Sequence, residues 1–254
     1  MKLEEFKKYR NDFLLFAYFG ALYNERSDAT SKSSALTVCI ERAYRDINRT
    51  LGFTYTTEEL KKKNSSDKKE FDKLKVNFKQ GAGERLQKRV DLIIRADIKA
   101  GNDNFDKWHK DACTELVELA KSWPEGKLKL FKDKGFTYGH AQKWVNMTLK
   151  NMLIMGLWDN KLLKYVNCLH IPIDSYILSA AGKSKTEKIH EDCSVNGLDV
   201  KDNLGKWSKI DNYDAYKNYQ EQIRKSLQSL KMSPIKWEGL AWIAQAENIK
   251  NHQG

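Results

Sequence analysis

The sequence predicts an all-α fold, and three observations support this prediction. Apolar residues recur every three or four positions along most of the 254-residue chain, which is the spacing of amphipathic helices. No segment alternates apolar and polar residues as a half-buried strand does. Only three prolines interrupt the chain, and 41% of its residues are hydrophobic, enough for a sizeable core. We expect one domain or one two-lobed domain.

The elements follow in order from the N-terminus. Residues 3–23 predict a helix whose aromatic stripe faces the core, and a polar loop is expected at 24–34. The stripe consists of Phe6, Tyr9, Phe13, Phe16 and Tyr18 or Phe19. A Lys-rich stretch with a capping box near Thr56 predicts shorter helical pieces, and the two glycines within 80–83 predict a break. Further helices are predicted at 34–51, 84–100, 104–123, 211–230 and 233–246. Residues 183–211 form a polar insert without a motif.

The charge of the chain favours a polyanionic partner. Lysine and arginine outnumber the acidic residues, for a net charge of +11 and a pI near 9.3. Nucleic acid is the first candidate and a membrane surface the second, whereas the simplest alternative is a set of solvated helix faces.

Cysteine usage and hydropathy exclude several classes of protein. The four cysteines form no C-x-x-C pair, so neither a zinc site nor an iron–sulfur cluster is indicated. We expect no metal and no cofactor. No run of eighteen apolar residues and no export signal occur, so a cytoplasmic protein without a membrane span is expected.

A glycine-containing turn at 135–139 opens a long amphipathic segment and follows several lysines. Glycine permits backbone conformations that aim several N–H groups at one anion, and the start of a helix adds to such a site. Packing of Phe136 and Tyr138 between two helices is the alternative interpretation. The residues predicted to bind DNA phosphate are Gly135, Gly139, His140, Lys132 and Lys134.

Two charged residues near helix starts are the catalytic candidates. Lys143 lies one turn into the helix, where the dipole disfavours a cation, and a neutral amine is a nucleophile. Asp174 follows Ile171-Pro172-Ile173 and precedes an apolar run, so it is placed as an N-cap. A carboxylate held there can stabilise an oxocarbenium-like sugar. Taken singly, Lys143 is more simply interpreted as a solvated lysine, and Asp174 needs no role beyond that of a structural N-cap.

Together these elements resemble the helix-hairpin-helix DNA glycosylase superfamily. The resemblance lies in the glycine turn, Lys143 and the segment Ile173-Asp174-Ser175-Tyr176-Ile177. The separation of 31 residues between the lysine and the aspartate looks most like the archaeal 8-oxoguanine glycosylase branch. The resemblance implies a two-lobed helical fold without an iron–sulfur cluster, with a helix-hairpin-helix at about 127–156. The implied parts are an N-terminal lobe at 1–80, a core with the catalytic aspartate at 81–182, and an insert with C-terminal helices at 183–254.

The function that this resemblance implies is that of a monomeric DNA N-glycosylase. Asp174 would stabilise the sugar cation, and either water or Lys143 would attack C1′, the latter with AP-lyase activity. Candidates for the aromatic wall of the base pocket are Trp144, Trp237 and Trp242, each of which is also a candidate for the core. The sequence does not decide which base is excised: a damaged base in repair and a hypermodified phage base in antiviral defence are both open. The alternatives are a non-catalytic helix-hairpin-helix DNA-binding protein and a helical adaptor for acidic proteins.

Overall fold

The structure is a computed structural model that describes residues 3–20, 29–56, 58–59, 62, 65–95, 97–123, 129–190 and 193–253. The prediction of an all-α protein is confirmed. The helices are α1 Leu3–Phe19, α2 Ala29–Asn48, α3 Ser65–Ile94, α4 Asn102–Ser122, α5 Tyr138–Met155, α6 Asp159–Leu162, α7 Ser175–Ala181, α8 Tyr213–Ser229 and α9 Pro234–Gln253. Short 3-10 turns lie at Leu163–Tyr165 and Trp207–Lys209.

Helix α5 is the central element of the core. It packs along α2 and against α4, and most of its side chains are buried, including polar ones. At its start the Thr137 N–H donates to His140 Nδ1 (3.1 Å), and at its end Gly156 adopts a left-handed conformation with φ 76°. The Gly156 N–H there donates to Met152 O (3.1 Å), which ends the helix. A helix buried on nearly all sides gives its polar residues fixed positions inside the protein.

A short hairpin lies within the all-α fold, although no segment of the sequence shows the alternation of a strand. Strands β1 (Glu187–His190) and β2 (Cys193–Val195) pair antiparallel within the insert, with an irregularity between Lys188 and His190. Strands of three and four residues are too short to show alternation against the polar background of the insert.

The predicted break at 80–83 is wrong, because α3 continues through both glycines. A Cβ atom built on Gly81 would lie 3.7 Å from the Trp123 ring, and one on Gly83 would lie 3.5 Å from Ile40. The glycines therefore lie at packed helix surfaces, where tertiary contacts outweigh the low helix propensity of glycine.

The aromatic stripe of α1 does not face the core along its length. Phe13 and Phe16 are 61% and 53% exposed. The C-terminal end of the stripe is held, where the Tyr18 hydroxyl donates to Asn151 Oδ1 (3.3 Å) and Arg42 lies over the Tyr18 ring. Phe6 and Tyr9 lie outside the residues whose side chains are described. Helix α2 begins at Ala29, so residues 29–34 of the predicted loop are helical.

The helix-hairpin-helix predicted at about 127–156 has its second helix, α5, but residues 129–137 before it are not helical. They run beside the segment that follows α2: the Lys132 N–H donates to Gly52 O, and the Gly52 N–H donates to Gly135 O (both 2.8 Å). The preceding helix α4 ends at Ser122, and residues 124–128 lie outside the described residues. Residues 129–137, the described part of this connection, therefore form no helix that pairs with α5 in a tight hairpin.

Candidate active site

Lys143 and Asp174 meet in the structure. Lys143 Nζ lies 3.2 Å from Asp174 Oδ2, and only 9% and 15% of the two side chains are exposed. Asp174 is the N-cap of α7, where its Oδ1 accepts the N–H groups of Tyr176 and Ile177 (3.0 Å each). One carboxylate oxygen therefore holds the helix start, and the other faces the amine.

Gln142, the residue before Lys143, fixes the segment that carries Asp174. Its Nε2 donates to Ile173 O (3.1 Å), and its Oε1 accepts the Ile173 N–H (3.3 Å). The side chain thus contacts both backbone polar groups of the residue before Asp174, as a neighbouring strand would. Asn146 donates to Gln142 Oε1 and to Ile171 O (3.1 Å each). These amides lock the lysine helix to the aspartate segment.

A second amide supports the same segment from α8. Gln220 Oε1 accepts the Ile171 N–H (3.1 Å), and Gln220 Nε2 donates to Ile171 O (2.8 Å). The hydroxyl of Tyr216 accepts from Asn146 (3.0 Å) and so joins α8 to α5. Segment 171–173 is therefore held by side-chain amides on two helices, although it has no regular secondary structure.

An ionic cluster lies deeper behind this segment. Arg224 donates to both oxygens of Asp106 (2.9 and 2.8 Å), and His170 Nε2 lies 2.8 Å from Asp106 Oδ1. Burial would raise the pKa of Asp106, but the hydrogen bonds from His170 and Arg224 outweigh it and hold that pKa well below its usual range. Burial lowers the pKa of His170, so the neutral imidazole donates from Nε2 and accepts the Tyr216 hydroxyl at Nδ1 (3.0 Å).

A cavity of about 180 Å³ opens onto the Lys143–Asp174 pair. Its wall combines carboxylates, cations and aromatic rings, so it presents both charge and flat apolar surface. It is lined by Asp46, Arg49, Thr50, Lys143, Asp174, Ser175, Tyr176, Trp207 and Trp242.

Trp207 is a wall residue that sequence reasoning missed. Lys143 Nζ lies 4.5 Å from the centroid of its ring, in a cation–π contact. Helices α7 and α9 supply Tyr176 and the 43%-exposed Trp242, whose rings lie 5.5 Å apart. Trp207 comes from the insert, which has no motif. The available signal was Gly139, whose missing side chain admits the Trp207 backbone.

Two of the three predicted pocket tryptophans are core residues, so their assignment to the pocket is wrong. Trp144 and Trp237 are fully buried. Their indole N–H groups donate to Ile40 O (3.0 Å) and Asn196 O (2.8 Å). A buried tryptophan with a satisfied N–H needs no ligand. Of the three, Trp242 alone lines the cavity.

The predicted phosphate-binding N–H groups are already used. Those of Gly135, Gly139 and His140 donate to the carbonyl oxygens of Lys132 (2.8 Å), Ile210 (2.8 Å) and Thr137 (3.1 Å). The insert therefore occupies the start of α5, and the assignment of these three backbone groups to phosphate is wrong. A Cβ atom on Gly139 would lie 1.9 Å from Trp207 O, so this glycine serves a close backbone approach.

His140 is not a phosphate ligand through its side chain either. The side chain is buried, and its Nε2 lies 3.2 Å from Thr50 O. Burial, with smaller contributions from nearby lysines, lowers the pKa of His140 to about 4, so the ring is neutral at neutral pH.

The two predicted phosphate-binding lysines remain at the surface. Lys132 and Lys134 are exposed, and Lys134 Nζ lies 3.5 Å from Asp211 Oδ2. Both line an open groove of about 730 Å³ between α4 and the loop before α5. Lys134 also lines a separate basic cavity.

Neither family models nor curated proteins nor solved structures match this chain. Among the described residues, no helix is long and apolar enough to cross a membrane. Within the same part of the chain, no group of three or more His, Cys, Asp or Glu residues is placed to hold a metal ion. The three cysteines with described side chains, Cys39, Cys113 and Cys168, are buried thiols.

Proposed function

We propose that this protein is a DNA N-glycosylase in which Asp174 and Lys143 are the catalytic residues. The observation that carries the proposal is the contact of 3.2 Å between Lys143 Nζ and Asp174 Oδ2 at the base of an aromatic-walled cavity. The net charge of +11 supports a polyanionic substrate.

A base can reach this pair only outside the duplex, because a stacked base hides its glycosidic bond. Trp207, Tyr176 and Trp242 present ring surfaces in the cavity. Stacking of one base on an aromatic side chain contributes on the order of 1–3 kcal/mol. This is comparable to the few kcal/mol that unstacking costs. We therefore assign these rings to holding the extruded nucleotide.

Asp174 is suited to stabilise the positive charge that develops on the sugar. The two backbone N–H groups that donate to Oδ1 fix the position of the carboxylate. Its Oδ2 points to the amine and is the atom available to a sugar cation. A preorganised charge in a site with little water stabilises a transition state more than the same charge in solution.

Two routes complete the reaction, and both begin as the bond from C1′ to the base breaks with its electron pair leaving on the base. In the lysine route, Lys143 Nζ passes one proton through Asp174 to the base and forms the new bond to C1′. A second proton moves from Nζ to O4′ as the sugar ring opens to an imine. Loss of a C2′ proton then expels the 3′ phosphate. In the water route, the oxygen of water bonds to C1′ while Asp174 accepts a proton from that water and passes it to the departing base.

The decisive experiment incubates the protein with duplexes that each carry one modified base. The panel contains oxidised and alkylated purines and glucosylated hydroxymethylcytosine, and alkali followed by a denaturing gel detects excision. Excision of at least one base, lost in Asp174→Asn, is expected. Absence of excision across the panel contradicts the proposal and leaves DNA binding alone or an adaptor. The class of base excised decides between repair and phage defence.

Borohydride separates the two routes on the same substrate. It reduces an imine to a stable protein–DNA crosslink, whereas the water route leaves an abasic site and no crosslink. We expect a crosslink with the parent protein and none with Lys143→Gln. Lys150→Gln is the matched control for loss of one lysine from the same helix. A crosslink that persists in Lys143→Gln identifies another amine as the nucleophile.

A further inference from the structure

We propose that a second, basic cavity beside the active site binds one DNA phosphodiester, and that the insert at 183–211 supplies two of its cations. The proposal rests on the proposed function, since the phosphate belongs to the strand whose base enters the active-site cavity. The cavity has a volume of about 290 Å³. Its lining residues are Arg49, Thr50, Gly52, Lys134, Gly135, His140, Lys206, Ser208 and Lys209.

The charge of this cavity is strongly positive. Four cationic side chains and no carboxylate line it. Arg49, Lys206 and Lys209 are exposed and form no ion pair within the described part of the chain. The fourth, Lys134, lies 3.5 Å from Asp211, and an ion pair so exposed contributes little. His140 adds no charge, because its ring is neutral at neutral pH. Three cationic side chains that form no ion pair within the described residues therefore share one cavity with Lys134, and such a concentration of positive charge attracts an anion.

The position of the cavity indicates which phosphate it takes. Arg49 and Thr50 line both this cavity and the active-site cavity. Trp207 lines the active-site cavity, while its neighbours Lys206 and Ser208 line the basic one. A nucleotide whose base lies against Trp207 therefore has a flanking phosphate within reach of the basic cavity.

Of the two insert lysines, Lys206 immediately precedes and Lys209 ends a firmly fixed 3-10 turn, Trp207–Lys209. The Gly139 N–H donates to Ile210 O (2.8 Å), and Thr137 Oγ1 donates to Ser208 O (3.0 Å). Both contacts tie the turn to the start of α5, one turn before Lys143. The cations are thus positioned relative to the catalytic lysine, and little ordering remains when the anion binds.

The test uses binding to a duplex with one tetrahydrofuran residue, a stable abasic-site analogue that needs no knowledge of the base. The variant is Lys206→Gln with Lys209→Gln. The matched control, Lys185→Gln with Lys201→Gln, removes two exposed lysines of the same insert that do not line the cavity. We expect the slope of log K against log salt to become shallower by about 0.9 in the variant, the value for one phosphate contact. The control should change it less.

A second arm locates the phosphate. Neutral methylphosphonate replaces one phosphate at a time around the tetrahydrofuran residue. At one flanking position it should weaken binding by the parent about tenfold, as loss of one charge-assisted contact does. In the Lys206→Gln, Lys209→Gln variant the same replacement should cost about twofold or less, since interacting groups are not additive.

The proposal is overturned if methylphosphonate weakens binding equally in parent and variant at every position. It is also overturned if the parent protein does not bind this duplex. The two proposals fail separately. Coupling between the insert lysines and one phosphate, without excision of any base, upholds the phosphate site and refutes the glycosylase. Excision without such coupling does the reverse.

Discussion

Replacement of Asp174 separates its structural contribution from its chemical one. Oδ1 caps α7 through two N–H groups at 3.0 Å, whereas Oδ2 faces Lys143. Asparagine is as good an N-cap as aspartate, and its carbonyl oxygen keeps both cap hydrogen bonds. Alanine loses them. Both substitutions remove the same charge opposite Lys143, so the difference between the two variants isolates the cap.

We expect Asp174→Ala to be about 1 kcal/mol less stable than Asp174→Asn, the usual contribution of an N-cap. Urea denaturation measures this difference. Excision should fall in both variants by on the order of 10²–10³-fold, as when one preorganised electrostatic group is removed from a transition state. Single-turnover kinetics on the excised substrate measures that loss, and binding to the tetrahydrofuran duplex controls for affinity.

Stability and excision rate must respond differently to the two substitutions if Asp174 has a catalytic role. An Asp174→Asn protein that excises at the parental rate means that the residue is only a cap. If the excision rate falls in parallel with stability, and falls more in Asp174→Ala than in Asp174→Asn, the loss comes from the helix start and not from the charge.

Three further predictions concern the surroundings of the site. Gln142→Ala frees both backbone groups of Ile173, so it should lower the excision rate constant at least tenfold while affinity for the tetrahydrofuran duplex stays within about twofold. Gln142→Glu keeps the acceptor oxygen and should recover part of the rate. A loss of affinity equal to the loss of rate refutes a positioning role. Gly83→Ala should stabilise the protein by about 0.5–1 kcal/mol in urea, since its Cβ meets only ordinary contacts, whereas Gly139→Ala should destabilise it because of Trp207 O. Burial depresses the pKa of His140 to about 4, and that of the other two buried histidines also lies below its usual value. The unfolded chain therefore binds more protons below about pH 6.5, so the contribution of these histidines to stability is full above that pH and decreases as the pH falls. For His140 alone the loss is up to about 1.4 kcal/mol per pH unit down to about pH 4. Urea midpoints that are flat from pH 7 to 5 contradict this.

The parts of the site that depend on local chemistry could be predicted from the sequence. Asp174 precedes an apolar run and follows a proline, and an N-cap depends on little else. Its pairing with Lys143 is expected only because the order and spacing of the two motifs resemble those of a known superfamily, and no local rule predicts that contact. Local rules failed for Gly81 and Gly83, whose helix is held by residues far away in sequence.

Long-range contacts explain the remaining errors. A glycine in a sequence shows that something approaches the backbone closely, but not what approaches. Gly139 suggested an anion, and the structure places the Trp207 carbonyl there. The two residues are 68 positions apart, and the insert between β2 and α8 has no periodicity that would predict its path. Trp144 and Trp242 likewise look alike in sequence, and only packing shows which one is buried.

The amide-held segment before Asp174 has a consequence for hydrogen exchange. Loops usually exchange their backbone protons fast, since their N–H groups face water. Here the N–H groups of Ile171 and Ile173 donate to buried glutamine side chains. Their deuterium uptake should require global unfolding, as it does for amides of the core helices. We expect the stretch of chain that carries the aspartate to be among the slowest-exchanging parts of the protein, and any motion that opens the cavity to occur on the side of the exposed Trp242.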